Sequence, residues 1–316
     1  MPRHLPLVLV LLLMVVAAPA HARFFRTARS EGGSNTIVVN GVTRDYELFV
    51  PPQQKSGPVP LVIVLHGASS SAKGMERYFG MDPVARREGF AVAYPQGIGK
   101  VWNDGRPKEA QRYHKGSATA DDVLFLQMLT DDLVKRGIAD PHRLYLTGMS
   151  NGGHMTSRMA CQDSGRFAAY APIVANLFVV VAKECKPSMP VPILIMNGTS
   201  DPINLWNGSD GGGKPDAAFF STDQMVAFWT TVDKCTGQPA VTKFPDTNTR
   251  DKSTVQSSVY GTCADGTKVV LYTITGGGHQ SPSAAGRNVL TSIMGQRNHD
   301  IEAAEEIWKF FSGYHR

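Results

Sequence analysis

The chain has 316 residues, 42% of them hydrophobic, with 32 Lys and Arg against 27 Asp and Glu for a formal net charge of +5. That length is enough for a sizeable buried core. A balance this weakly basic, with no stripe of interleaved aromatic and basic residues, gives nucleic-acid binding no support and reads as serving solubility.

Arg3 and His4 precede the apolar run Leu5 to Val16, and Ala20-His21-Ala22 follows it, which together have the three regions of a signal peptide. Cleavage is predicted after Ala22. Residues 23–316 then form one α/β domain of net charge +4, since 31 basic residues face 27 acidic ones once Arg3 is gone. The apolar core is shorter than the roughly 20 residues of a membrane span, so no stable membrane insertion is expected. An extracellular or periplasmic address follows.

Thr36 to Asn40 and Thr43 to Val50 alternate on either side of Asn40-Gly41 and predict an antiparallel hairpin. Leu61 to Leu65 reads as a central strand, and His66-Gly67-Ala68 directly after it is where an oxyanion loop is expected. The backbone N–H of Ala68 is the candidate donor, and His66 reads as a residue that shapes this loop or lines the pocket. Phe90 to Tyr94 is the next strand. Gly97 to Ala118 has no periodicity and reads as a loop over the site, with Trp102 a pocket candidate. Ala120 to Lys135 carries helical periodicity.

Arg143 to Thr147 is a buried strand that runs into Gly148-Met149-Ser150-Asn151-Gly152, with a helix predicted from Gly153. A G-x-S-x-G pattern between strand and helix is a nucleophile elbow: the glycines allow a strained turn that projects the Ser150 hydroxyl. The N–H of Asn151 is the second oxyanion donor. Ala168 to Val174 and Pro192 to Met196 are further strands, and Asp201 follows the latter in Asn197-Gly198-Thr199-Ser200-Asp201-Pro202, as the acid of a triad should. Ile203 to Ala218 is a second loop, with Trp206 as pocket candidate. Its Gly211-Gly212-Gly213 lacks the context of a phosphate-binding loop, so no nucleotide and no other cofactor is implied, and no metal.

Thr222 to Lys234 is a predicted helix and Val269 to Thr275 a strand, after which Gly276 to Gly278 lead to His279. Of nine histidines, His279 alone follows a strand in the order nucleophile, acid, base; His114, His142, His154 and His299 read as surface residues. Asp300 to Phe311 is a closing helix. The alternation of strands and helices predicts a mostly parallel, doubly wound α/β sheet with an antiparallel N-terminal hairpin.

Cys161, Cys185, Cys235 and Cys263 make an even number of cysteines in a chain expected to be exported, without C-x-x-C spacing, and so predict two disulfides. Pairing Cys161 with Cys185 and Cys235 with Cys263 joins segments close in sequence.

Leu65-His66-Gly67, Tyr94-Pro95-Gln96-Gly97, Trp102-Asn103-Asp104-Gly105-Arg106, Asp121-Asp122-Val123-x-Phe125-Leu126, Gly148-x-Ser150-Asn151-Gly152-Gly153, Gly198-Thr199-x-Asp201-Pro202 and Gly276-Gly277-Gly278-His279 together resemble the secreted polyhydroxybutyrate depolymerase and feruloyl esterase-like family. The resemblance runs from about Asn40 to the last helix. It implies an α/β-hydrolase serine esterase whose triad is Ser150, Asp201 and His279, acting on small or oligomeric esters. Gln280-Ser281-Pro282 departs from the Trp-Pro-Gly that follows the histidine in many relatives. The alternatives are a serine peptidase on the same fold and a non-catalytic binding protein, which should have lost a triad member.

Overall fold

Asn40 and Gly41 both take positive φ, 48° and 78°, the left-handed pair a tight hairpin needs, and so join β1 (Asn35–Val39) to β2 (Val42–Phe49) in antiparallel register. The computed structural model describes residues 35–52, 57–107, 110 and 119–316. The expected signal peptide, residues 1–22, and His114 lie outside the described residues. Along the chain follow β3 (Val59–Leu65), α1 (Ala72–Phe79), α2 (Met81–Glu88), β4 (Ala91–Pro95), α3 (Asp122–Lys135), β5 (Ala139–Met149), α4 (Asn151–Gln162) and β6 (Ala169–Ile173). After these come α5 (Val179–Glu184), β7 (Ile193–Gly198), α6 (Thr222–Val232), β8 (Ala240–Lys243), β9 (Thr254–Tyr260), β10 (Val269–Thr275), α7 (Thr291–Met294) and α8 (Ala303–Phe311).

The strands form one ten-stranded sheet in the order β1-β2-β4-β3-β5-β6-β7-β10-β9-β8. Its middle, β4 to β10, is parallel, and the antiparallel pairs β1–β2 and β9–β8 flank it. Because successive side chains of a strand face opposite ways, each strand feeds two cores. Leu61, Ile63, Leu146, Ile193 and Ile195 pack with α3, α4 and α6 through Phe125, Met155 and Trp229. Val62, Val64, Tyr145, Leu194 and Met196 pack on the other face with α1, α2 and α8 through Met75, Val84 and Phe311. Hence the strands read as continuous apolar runs: both faces are covered.

The chain leaves β3 toward β4 on one side and returns to β5 on the other. Such a reversal opens a crevice at the carboxyl ends of the two diverging strands, where doubly wound folds place their sites. Ser150 follows β5 there, and His66-Gly67-Ala68 follows β3. β8 and β9 are additions to the sequence reading. Thr254–Tyr260 is rich in Ser, Gln and Thr and buries mainly one face at the sheet edge, so it lacks the apolar run that marks the central strands.

Candidate active site

Gly148 ends β5 where no side chain fits: a Cβ there would sit 2.5 Å from the Gly152 carbonyl oxygen, and one on Gly152 would sit 2.5 Å from that of Leu65. This close approach lets α4 start directly beneath the strand. Ser150 takes φ 56° and ψ −123°, a conformation L-residues rarely adopt, and its N–H donates to the Ile173 carbonyl at 2.9 Å. Its hydroxyl is thereby held at the head of α4.

His279 stands after β10 and Asp201 after β7, which are paired parallel neighbours, so the two loops emerge side by side. His279 Nδ1 and Asp201 Oδ2 lie 2.7 Å apart, and His279 Nε2 lies 2.8 Å from Ser150 Oγ. With Nδ1–H donating to the carboxylate, Nε2 is the acceptor for the hydroxyl. The other oxygen of Asp201 accepts the N–H groups of Ile203 and Asn204, both at 2.8 Å. Asp201 and His279 are buried, so the pair is shielded from water, and the His279 N–H is anchored on the Met294 carbonyl of α7.

Asn151, the residue after the nucleophile, ties the elbow to the loop after β4. Its side-chain oxygen accepts the Trp102 N–H at 2.6 Å, and its amide nitrogen donates to the Trp102 carbonyl at 3.1 Å and to Asp104 at 2.7 Å. Asp104 is fully buried. Burial alone would raise its pKa, but the Arg106 guanidinium, bonded at 2.7 and 3.0 Å, holds the carboxyl below the usual range. Asn103 donates its N–H to Asp122 at 2.7 Å, and Asp122 in turn takes Arg44 at 2.6 Å. The residues Trp102-Asn103-Asp104-Gly105-Arg106 and Asp121-Asp122 are thus one framework behind the nucleophile. Nothing in their spacing says that Asn151 joins it.

The Ala68 and Asn151 N–H groups, the expected oxyanion donors, make no hydrogen bond among the described residues. A Cβ on Gly67 would lie 3.5 Å from the Ser150 Cβ, which puts the loop after β3 against the elbow. His66 and Trp102, by contrast, do not line a substrate pocket. His66 is wholly buried; its Nε2 accepts the Gly97 N–H at 3.0 Å and its Nδ1 donates to the Gly67 carbonyl at 2.8 Å. Burial pushes its pKa down to about 4. Trp102 is equally buried and donates its indole N–H to the His66 carbonyl at 2.8 Å. Both fix the loops around the elbow, because each ring is spent on backbone partners. Trp206 does line a groove, though none of Ser150, Asp201 and His279 shares it.

Two histidines expected at the surface are half-buried and bonded. His154, on the first turn of α4, packs on Phe178 at 4.3 Å between ring centres and pairs Nδ1 with the Asn176 carbonyl at 2.8 Å. Burial, against the opposing pull of Asp104, lowers its pKa to about 4. His299 pairs with Asp251 at 3.1 Å. Asn176 further accepts from Asn197 at 2.8 Å and from Thr222 at 3.1 Å, and takes Asn204 as acceptor at 2.8 Å, so a buried amide network braces the acid loop. Gln280 is buried with both ends bonded, to the Gly295 carbonyl at 2.7 Å and the Val289 N–H at 2.9 Å. It ties down the histidine loop, which accounts for a glutamine at that position.

Among the described residues no group of three or more His, Cys, Asp or Glu could hold a metal ion. Cys161 is bonded to Cys185 and Cys235 to Cys263. The family model described as Esterase PHB depolymerase matches residues 44–210. Feruloyl esterase B of Piromyces equi is 32% identical over 70% of this chain and 39% of its own, and poly(3-hydroxyalkanoate) depolymerase C of Paucimonas lemoignei is 30% identical over 73% of this chain and 57% of its own. The chain therefore spans roughly half the length of these curated relatives or less. Acetyl xylan esterase from Aspergillus awamori has a similar fold, with a TM-score of 0.59 at 14% identity over 89% of this chain and 99% of that one.

Proposed function

The chain belongs to the PHB depolymerase esterase family of carboxylic ester hydrolases, and we propose that it hydrolyses esters through an acyl-enzyme formed on Ser150. The observation that carries this reading is the unbroken line of hydrogen bonds from Ser150 through His279 to Asp201. A serine hydroxyl is a weak nucleophile at neutral pH, so His279 Nε2 takes its proton as Oγ attacks the ester carbonyl. Asp201 holds the ring in the required tautomer and stabilises the imidazolium. The N–H groups of Ala68 and Asn151 receive the developing oxyanion, a contribution of about 3 kcal/mol per donor to the transition state. His279 then protonates the leaving alcohol, and a water molecule repeats the sequence on the acyl-enzyme. The two disulfides support an oxidising, exported address. Among the described residues no helix is long and apolar enough to cross a membrane.

Ser150→Ala removes the covalent route and leaves the packing intact. Wild type is expected to cleave p-nitrophenyl acetate and at least one of methyl ferulate, acetylated xylan and a 3-hydroxybutyrate oligomer, and Ser150→Ala none of them. Retention of most activity by the variant would overturn the assignment of the nucleophile.

A further inference from the structure

Trp206, on the loop that follows Asp201, walls a groove of about 470 Å³ between α6 and the outer strands of the sheet. The register of β9 against β10 lays its floor: Gln256 lies opposite Thr273, Ser258 opposite Leu271 and Tyr260 opposite Val269. Alternate residues share one face of a strand, so Gln256, Ser258 and Tyr260 line up along about 13 Å. Asp223, in the first turn of α6, contributes to the facing wall. One end of the groove reaches the catalytic edge of the sheet, since Thr273 lies near the carboxyl end of β10, ahead of His279.

The polar atoms on this floor are unspent. Gln256, Ser258, Thr273, Tyr260 and Trp206 are half-buried, yet no side-chain hydrogen bond engages any of them among the described residues. The lining therefore combines two aromatic faces, which carry a polar edge, with a neutral amide and hydroxyls that both donate and accept. Asp223 is the one charged side chain among the lining residues. An aliphatic polyester carries acceptor oxygens only, so it would leave the Gln256 amide oxygen without a donor, and a polyanion would meet Asp223. A sugar ring satisfies both requirements, offering C–H faces to the aromatics and hydroxyls around its rim.

We propose that this groove binds an oligosaccharide chain and so holds saccharide-borne esters beside the catalytic edge. Only the second half of that statement rests on the esterase reading above. The test titrates the full Ser150→Ala chain with xylohexaose and cellohexaose, followed by calorimetry and by tryptophan fluorescence, to which half-buried Trp206 responds while Trp102 and Trp229 are shielded and Trp308 is stacked on Phe90 at the opposite face of the sheet. Saturable binding of at least one sugar with a fluorescence change is expected, weakened about tenfold or more by Gln256→Leu and lost in Trp206→Ala. In the otherwise wild-type chain, Gln256→Leu should leave turnover of p-nitrophenyl acetate unchanged and raise KM for acetylated xylo-oligosaccharide. Failure of both sugars to bind, or binding indifferent to both substitutions, overturns the groove. A wild-type chain that binds xylohexaose through the groove but leaves p-nitrophenyl acetate intact overturns the esterase reading instead.

Discussion

Asn151 has two separable tasks. Its N–H is available to an oxyanion, while its side chain bonds Trp102 and Asp104 and so fixes the elbow against the loop after β4. Asn151→Ala keeps the first and removes the second. A displacement of about 1 Å in a reacting group can cost roughly 10²-fold in rate, so kcat on p-nitrophenyl acetate should fall by that order with KM little changed; an unaltered kcat would mean that other contacts hold the elbow. His66 poses a question of stability rather than rate. Its pKa is lowered from 6.5 to about 4 by burial, so between those values the unfolded chain binds a proton that the folded chain does not. The contribution of neutral His66 is thus fully present above the upper value and lost as pH falls toward the lower one, about 3 kcal/mol in all. His154 acts in the same sense. Asp82 and Asp233, raised by burial to about 6, act in the opposite one, losing stability as pH rises. Comparing wild type with His66→Gln cancels these other groups. Urea titrations at about pH 7 and about pH 4.5 should show a smaller acid loss in the variant.

At the scale of elements, the legible parts were those with a strong period. The six apolar runs became the parallel strands, and Thr222 onward became α6, because burial on both faces or on one stripe leaves a pattern in the residues. β8 and β9 carried no such pattern and exist because a neighbouring strand receives them, whereas α1 and α2 do bury one stripe each, Ala72, Met75 and Phe79 in the first and Met81, Val84 and Ala85 in the second, over only eight residues apiece. Strand β5 also runs on through Gly148 and Met149, which makes the elbow the end of a strand rather than a loop beyond one. α6 begins with a capping box: Ser221 Oγ accepts the Gln224 N–H at 3.0 Å and Gln224 accepts the Ser221 N–H at 2.8 Å. Ser221→Ala should cost about 1 kcal/mol, seen as a fall of roughly 2–4 °C in Tm for a domain of this size. No shift in Tm would mean that the packing of Met225 and Trp229 alone sets the start of the helix.

For the whole molecule, the two disulfides close loops of 24 and 28 residues, each limiting the unfolded chain by about 3–4 kcal/mol on a loop-entropy basis. The second encloses the β8–β9 hairpin and ties its connection into β10 to the end of α6, so it staples the sheet edge that forms the floor of the groove. Thermal unfolding in the presence of a reductant should show a clearly lower Tm, with Cys235→Ser/Cys263→Ser reproducing part of the loss. An identical Tm with and without reductant would remove the bridges from any account of stability.

By itself the sequence determined the strand order in time and the nucleophile, acid and base as candidates in that order, and it favoured one of three pairings of the cysteines, because each of these is written locally, in apolar runs, turn residues and spacing along the chain; the structure fixed the pairing. Only the tertiary structure decided which aromatics are buried against backbone partners. Trp102 and His66 looked like pocket residues from their place in a loop after a strand, yet folding spends both on backbone carbonyls and N–H groups far away in sequence. Asn151, Asp104, His154 and the Asn176–Asn197–Asn204 network became visible for the same reason. A side chain's partners are set by what the fold brings within about 3 Å, and a contact between residues 49 apart, as Asn151 makes with Trp102, leaves no trace in the spacing of neighbours.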